Sequence, residues 1–267
     1  MGTMLGSFWR QITVKPKSLP EDLSLEACKE MIAQGLSRAI LSVRNLEIGN
    51  AARNELLTSW PKCDVEAREV DYESFASMMA FGVRASKLDR LDIVILIVGV
   101  KAMKFSLSKT GHEMNVQRTA EATGASSRLT FVSSEVHFWT PFNEKNAVSI
   151  LERLDSEGSF KKSSAMERYS TSKLLGVLWT RELPDKLDHK IIFMIAWSST
   201  VGAHTLTNAV AYHDGQQGAY LSQQRVTSPS FFVTSAEGEK VWKKLWNESI
   251  QLFRKEVTDF ELPNMLN

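Results

Sequence analysis

The run Leu-Asp-Ile-Val-Ile-Leu-Ile-Val, residues 91–98, decides the fold class. Apart from Asp92, every residue in it is β-branched or leucine, which is typical of a strand in a parallel sheet that helices cover on both faces. The run is far shorter than the ~20 residues that a transmembrane helix needs. It therefore predicts a buried strand rather than a membrane span.

The segments on either side of this run alternate between strand and helix patterns. The alternation predicts a doubly wound α/β fold with a mostly parallel sheet, built as a single domain of residues 24–267 after an N-terminal arm of residues 1–23. The predicted strands are Ala39–Val43, Val65–Val70, Leu91–Val98 and Leu129–Ser133. The predicted helices are one capped by Ser24 and stopped at Gly35, then Asn45–Ser59, Tyr72–Lys87, Ala165–Leu183 and Ala236–Val257.

The charge balance and the cysteine count exclude several classes of protein. Lysine and arginine number 32 against 31 aspartate and glutamate, so the net charge of +1 gives no basic field for nucleic acid. Cys28 and Cys63 form neither a disulfide framework nor a zinc motif, which favours a reducing, cytoplasmic location. The five histidines lack metal-ligand spacing, so we expect surface or hydrogen-bonded imidazoles and no metal site.

Residues that can carry chemistry fall where predicted strands end. Asp71, Gly99 and Ser134 each lie at or just after the carboxyl end of a strand, where ligands bind in doubly wound folds. Tyr169 and Lys173 are four residues apart on a predicted helix, so their side chains share one face. This placement predicts a ligand site at that edge of the sheet.

A phenol beside a fixed cation can exchange protons near neutral pH. The pKa of a free tyrosine is about 10, and lowering it by about 3 units takes about 4 kcal/mol of differential interaction. Lys173, together with the positive ring of a nicotinamide, would supply that interaction to Tyr169. Tyr169 would then exchange a proton with an alcohol or ketone oxygen that Ser134 orients. The alternative is a solvated lysine beside a half-buried tyrosine.

Three segments match the pattern of a known family: LSVRNLEIGNAARNEL (residues 41–56), RLTFVSSEVHFW (128–139) and ERYSTSKLLGVLWTREL (167–183). On these motifs the chain resembles the short-chain dehydrogenase/reductase family. Within it, the chain is similar to the branch of retinol dehydrogenases, WW-domain oxidoreductase and related fungal enzymes of secondary metabolism. The resemblance implies a Rossmann-like fold, in which Ser134, Tyr169 and Lys173 match the catalytic serine, tyrosine and lysine and the last two also bind the cofactor.

The resemblance also implies a cofactor site at the other strand ends. Arg44 follows the strand that meets the adenosine ribose, and a cation there suits the 2′-phosphate of NADP(H). Asp71 matches the acidic residue that contacts the adenine. Gly99 matches the glycine of a turn in which the backbone passes close to the cofactor. The alternatives are a solvated residue at a helix start for Arg44 and a helix N-cap for Asp71.

Three parts of the family pattern lack a counterpart in this sequence. The Gly-rich loop that holds the cofactor pyrophosphate is replaced by residues 23–28, which run straight into a helix. A helix carrying a further catalytic asparagine is missing after Gln117. The strand and Pro-Gly segment that follow the catalytic helix are predicted to be missing near Lys190.

These departures imply internal deletions and an incomplete sheet. The first strand of the family is central in its sheet. Without it, the strand Ala39–Val43 either re-pairs with Leu91–Val98 or leaves backbone groups unsatisfied, at about 1–3 kcal/mol each when buried.

Two functions follow from the resemblance. The first is an NADP(H)-dependent oxidoreductase acting on a secondary alcohol or ketone of an apolar small molecule. The second is a catalytically inactive relative that serves in binding or is a shortened product. Members of the family often dimerise, so the sequence leaves a homodimer open.

Overall fold

The computed structural model describes residues 23–97, 104–108, 110–112, 128–183, 190–195, 199–212, 218–222 and 225–257. Its helices are α1 (Leu23–Ala33), α2 (Leu46–Ser59), α3 (Phe75–Ser86), α4 (Ile150–Asp155), α5 (Glu157–Lys161), α6 (Ala165–Trp179), α7 (Ser199–Tyr212), α8 (Phe231–Thr234) and α9 (Ala236–Glu256). Its strands are β1 (Arg38–Val43), β2 (Asp64–Glu69), β3 (Ile93–Leu96), β4 (Arg128–Ser133), β5 (Lys190–Ile195), β6 (Ala219–Ser222) and β7 (Arg225–Thr227).

The described strands form two separate sheets. Strands β1 and β2 pair in parallel, and β3 to β7 form a five-stranded sheet in chain order, in which only β7 runs antiparallel to its neighbour. Parallel strands linked by helices confirm the predicted α/β, Rossmann-like fold and its incompleteness. Among the described residues, no helix is long and apolar enough to cross a membrane.

The break between the two sheets lies where the family places its first strand. Within the described residues, β1 pairs with β2 alone and β3 pairs with β4 alone, so β1 and β3 do not re-pair with each other. Helix α1 joins the two halves through side chains: Ala27 packs in a buried cluster with Leu206 of α7, and Cys28 packs in a second cluster with Leu56 of α2.

The main core lies between the five-stranded sheet and two long helices. Leu174 and Leu178 of α6 pack with Leu245 of α9, and the rings of Trp179 and Trp246 are 4.9 Å apart. This burial holds α6, the helix that carries Tyr169 and Lys173, against the sheet. The apolar spacing of both helices in the sequence predicted this core face.

Several predicted boundaries are wrong by a few residues. The first helix begins at Leu23 rather than after a cap at Ser24, and α3 begins at Phe75 rather than Tyr72, because Ser74 accepts a hydrogen bond from Ser77 N and caps that helix. Strands β2 and β3 differ at their ends from the predicted Val65–Val70 and Leu91–Val98, and Val98 lies outside the described residues.

Two larger corrections concern the catalytic helix and the strand after it. Helix α6 ends at Trp179 rather than Leu183, and its C-cap is Thr180, whose hydroxyl donates to Gly176 O at 2.6 Å. The strand predicted to be missing near Lys190 is present: β5 comes after α6 in the chain and pairs in parallel with β4 and β6. The apolar run Ile191–Ile195 is the local signal for this strand in the sequence.

Candidate active site

Ser134 and Tyr169 meet at the carboxyl end of β4. Ser134 follows the last residue of β4 and caps a short 3₁₀ turn, Glu135–Phe138, by accepting a hydrogen bond from Val136 N at 3.4 Å. The Ser134 side chain lies close enough to the Tyr169 phenol to lower its pKa as a hydrogen-bonding partner. The structure therefore brings together two of the three residues that the sequence placed in one site.

Lys173 lies one turn of α6 beyond Tyr169. Its ammonium nitrogen is 5.7 Å from the centroid of the Tyr169 ring, and its side chain is buried with 6% of its surface exposed. Ser133, the last residue of β4, donates a hydrogen bond of 3.4 Å from its hydroxyl to Lys173 O. The end of β4 thus contacts α6 at both Tyr169 and Lys173.

A capping box fixes where α6 begins. The Ser164 hydroxyl accepts from Glu167 N at 3.0 Å, and the Glu167 carboxylate accepts from Ser164 N at 2.7 Å. The two bonds satisfy backbone donors that the first turn leaves open. Since Tyr169 is in the second turn, this cap sets the angle at which its phenol approaches Ser134.

Burial controls the protonation of both groups. It lowers the pKa of Lys173 from 10.5 to about 8, because the interior disfavours the charged ammonium. It also raises the pKa of Tyr169, and the hydrogen bond with Ser134 only partly opposes that change. Tyr169 is therefore a neutral phenol at pH 7 in the chain without cofactor, and the expectation that Lys173 together with a nicotinamide lowers its pKa stays a prediction.

A buried polar cluster next to this site escaped the sequence interpretation. The Ser159 hydroxyl donates to Glu144 Oε1 at 2.6 Å and accepts from Arg168 Nη2 at 3.1 Å. The guanidinium of Arg168 also lies over the ring of Phe160 at 5.6 Å. An arginine beside Tyr169 on an amphipathic helix is normally a solvated residue, so nothing in the spacing distinguishes this one.

Arg44 and Asp71 lie together at the carboxyl end of the small sheet. Each follows a strand whose last residues, Val43 and Glu69, are register partners. Arg44 is exposed, and the Asp71 carboxylate accepts a hydrogen bond from Glu73 N at 3.0 Å. The predicted cap at Asp71 is thus a turn bond, while Ser74 caps α3.

An open cleft of about 440 Å³ adjoins Asp71. The guanidinium-bearing residues that line it are Arg68 and Arg84 rather than Arg44. Arg84 donates to Glu69 O at 2.9 Å, and Arg68 pairs with Glu66 at 2.6 Å. Gly99, the remaining predicted cofactor residue, lies outside the described residues.

One characterised protein matches this chain over nearly the whole length of that protein. The chain is 45% identical over 286 positions to the short chain dehydrogenase sol3 of Alternaria solani, a match that takes in 85% of this chain and 99% of that protein. The chain belongs to the short-chain dehydrogenase family. No protein-family model matches the chain.

The same alignment shows how many positions of sol3 have no counterpart in this chain. The alignment includes 85% of the 267 residues of this chain, which is about 227 residues, and it spans 286 positions. About 59 of those positions are therefore gaps in this chain. This confirms the internal deletions that the sequence implied.

Solved structures show the same fold. An uncharacterized protein of Mycobacterium paratuberculosis superposes with a TM-score of 0.71 at 21% identity, over 91% of this dehydrogenase and 92% of that protein. A metagenomic short-chain oxidoreductase in complex with NADP superposes with a TM-score of 0.52 at 13% identity, over 75% of this dehydrogenase and 91% of that protein. At these identities the likeness establishes the fold alone; the retinol-dehydrogenase-like branch stays a prediction.

Proposed function

We propose that this chain is an NADP(H)-dependent short-chain dehydrogenase/reductase that interconverts a secondary alcohol and a ketone on an apolar substrate. The observation that carries the proposal is the placement of the Tyr169 phenol beside Ser134, with the buried ammonium of Lys173 one helical turn away. A surface tyrosine with a solvated lysine, the alternative for this pair, would leave Lys173 exposed.

The protonation states suit reduction of a ketone. Tyr169 is a neutral phenol and can donate its proton to the substrate oxygen as negative charge develops there. Ser134 donates a second hydrogen bond to that oxygen and orients it. The resulting phenolate is stabilised by the Lys173 ammonium, whose pKa of about 8 keeps it mostly protonated at pH 7. The cofactor, when bound, supplies the hydride.

Suitable residues are present for the nicotinamide and adenosine ends of a dinucleotide, but none of the described residues suits its pyrophosphate. Lys173 and Tyr169 would hold the nicotinamide ribose, and Asp71 with Arg44 would hold the adenosine half, for which the cleft lined by Arg68 provides a second cation. The pyrophosphate belongs at the glycine loop after the first strand, and the described sheet is broken there. We therefore expect weak cofactor affinity.

Exposed aromatic side chains near the site support an apolar substrate. Phe138 belongs to the turn that Ser134 caps, and Phe231 begins α8 with 86% of its surface exposed. Ser230, next to Phe231, contacts the same turn through His137. Phe138 and the start of α8, which carries Phe231, are therefore both connected to the turn that Ser134 caps. A fungal secondary metabolite is the substrate class that the resemblance to fungal enzymes of this family favours.

An inactive binding protein is the second candidate. The break between β1 and β3 favours it, because in the part of the chain that the structure describes no strand and loop lie there to hold the cofactor phosphates. On this view the buried Lys173 and Tyr169 are remnants of an ancestral site.

A titration with NADPH, followed by cofactor fluorescence, separates the two candidates. The enzyme proposal expects saturable binding below about 1 mM, and no binding at that concentration supports the inactive relative. Tyr169→Phe is the matched variant: it removes the proton donor together with one contact to the nicotinamide ribose, so it should lower ketone reduction by about 10²–10⁴-fold and lower the NADPH affinity far less. Turnover retained in Tyr169→Phe would exclude Tyr169 from the chemistry.

Three further assignments stay predictions. We expect one domain over residues 24–267, which limited proteolysis would test by yielding a single resistant core. A homodimer would be detected by sedimentation equilibrium. A fluorescent fusion in the native host would show whether the protein is cytoplasmic.

A further inference from the structure

A buried histidine sits directly behind Ser134. His137, in the 3₁₀ turn that Ser134 caps, has 1% of its surface exposed. Its ring nitrogen Nδ1 is 2.7 Å from Ser134 O, and its Nε2 is 3.4 Å from Ser230 N. The Tyr220 hydroxyl of β6 lies 3.5 Å from Nδ1. The imidazole thus connects three parts of the chain that surround the candidate site.

The two backbone partners fix the proton on this ring. Ser134 O can only accept, so Nδ1 of His137 must carry the hydrogen. Ser230 N–H can only donate, so Nε2 must offer its lone pair. The ring is therefore neutral with one defined tautomer, and burial, which lowers the pKa of His137, keeps it so.

Ser134 itself is held on both its carbonyl and its hydroxyl. Its carbonyl oxygen accepts from His137 Nδ1 and, at 3.2 Å, from His137 N. Its hydroxyl accepts from Val136 N and bonds with Tyr169. The described donors to the carbonyl are the ring Nδ1 and the backbone N–H of His137, and the ring makes the shorter bond. The ring therefore fixes the backbone orientation from which the Ser134 hydroxyl faces Tyr169.

We propose that His137 is a positioning residue that locks Ser134 in the orientation needed to bond Tyr169 and the substrate oxygen. The assignment rests on the proposed function of Ser134. The same ring accepts a hydrogen bond from Ser230 N at the start of α8, so it also connects the turn of Ser134 to that helix.

A merely structural histidine would behave differently. In that case every substitution that breaks its hydrogen bonds would lower stability and activity together. In the positioning role, turnover depends on the donor to Ser134 O alone, while stability depends on both ring nitrogens. Substitutions that preserve one nitrogen at a time separate these cases.

Three variants make that separation. His137→Asn places an amide nitrogen near Nδ1 and keeps the donor, His137→Gln places its amide near Nε2, and His137→Phe keeps the ring alone. We expect His137→Asn to retain kcat within about 3-fold, and the other two to lose about 10- to 100-fold, since small misplacements of a reacting group cost that much. Equal losses in all three, or full kcat in His137→Phe, would overturn the proposal.

A second measurement needs no turnover, so it still decides if the chain fails to bind cofactor. ¹⁵N spectra of the imidazoles should show His137 protonated at Nδ1 and bare at Nε2 at pH 6.5, where a free imidazole is half protonated, because burial lowers its pKa. ¹³C-tyrosine spectra should show the pKa of Tyr169 higher in His137→Phe than in His137→Asn, because the bond from Ser134 is lost only in the former. Identical Tyr169 titrations would refute the positioning role even in an inactive chain.

Discussion

Arg168 and Glu144 form an ion pair in the protein interior, with Arg168 Nη1 3.6 Å from Glu144 Oε1. The pair is nearly inaccessible, with 1% and 7% of the two side chains exposed. Ser159 lies between them and bonds to both. Since Arg168 directly precedes Tyr169, the pair ties the segment between β4 and α6 to the base of the candidate catalytic helix.

Removing one partner of this pair should be costly. Glu144→Gln leaves a buried guanidinium without a counter-charge, and we expect the free energy of unfolding to fall by about 3–5 kcal/mol in urea titrations. The double variant Glu144→Leu with Arg168→Met removes both charges and should recover most of that loss. A double variant as unstable as Glu144→Gln would show that the geometry of the cluster, rather than its charge, matters.

The buried ammonium of Lys173 should oppose folding. Lys173→Met should therefore raise the free energy of unfolding at pH 7, by at most about 3 kcal/mol, while abolishing turnover. The pKa of Lys173 falls from 10.5 unfolded to about 8 folded, so between those values the unfolded chain binds the extra proton and stability rises with pH. The advantage of Lys173→Met should shrink from pH 8 to pH 10; a constant advantage would contradict this account.

The sequence predicted the fold class and the grouping of Ser134, Tyr169 and Lys173, because strand and helix periodicities and the family motifs are local signals. It did not predict Arg168 paired with Glu144, or the tautomer of His137, because those depend on residues brought together from distant segments. The burial that raises the pKa of Tyr169 in the chain without cofactor cannot be read from a four-residue spacing either. The strand Lys190–Ile195 was overlooked because its run follows a segment that departs from the family pattern.

The corner between α8 and α9 should tolerate no side chain at Gly238. A Cβ there would lie 1.9 Å from Phe232 O, a backbone atom that cannot move aside cheaply. Gly238→Ala should lower the melting temperature and disturb α8, next to Ser230. Gly82→Ala is the matched control, because a Cβ at that exposed helical position meets nothing within 4 Å and alanine favours helix by about 0.5–1 kcal/mol. Equal melting temperatures for the two variants would argue against this packing.

The two halves of the broken sheet should differ in local stability. Strand β1 has β2 as its one described neighbour, whereas β4 is paired on both sides by β3 and β5. Amide protons of Leu41 and Val43 should therefore exchange through openings of lower free energy than those of Phe131. Equal protection in β1 and β4 would mean that the side chains of α1 alone bind the halves into one cooperative unit.

Restoring the missing strand tests the cause of that difference. Helix α1 packs on both halves through Ala27 and Cys28, so a strand placed between β1 and β3 would lie beneath it and satisfy both open edges. We expect insertion of a β-strand and a Gly-rich loop of the family pattern before Leu23 to bring exchange in β1 to the level of β4. The loop should also raise NADPH affinity at least about tenfold, because its backbone amides bind the pyrophosphate. A matched insertion whose loop glycines are all alanine should restore the sheet but not the affinity. If it restores both, the strand rather than the loop limits cofactor binding.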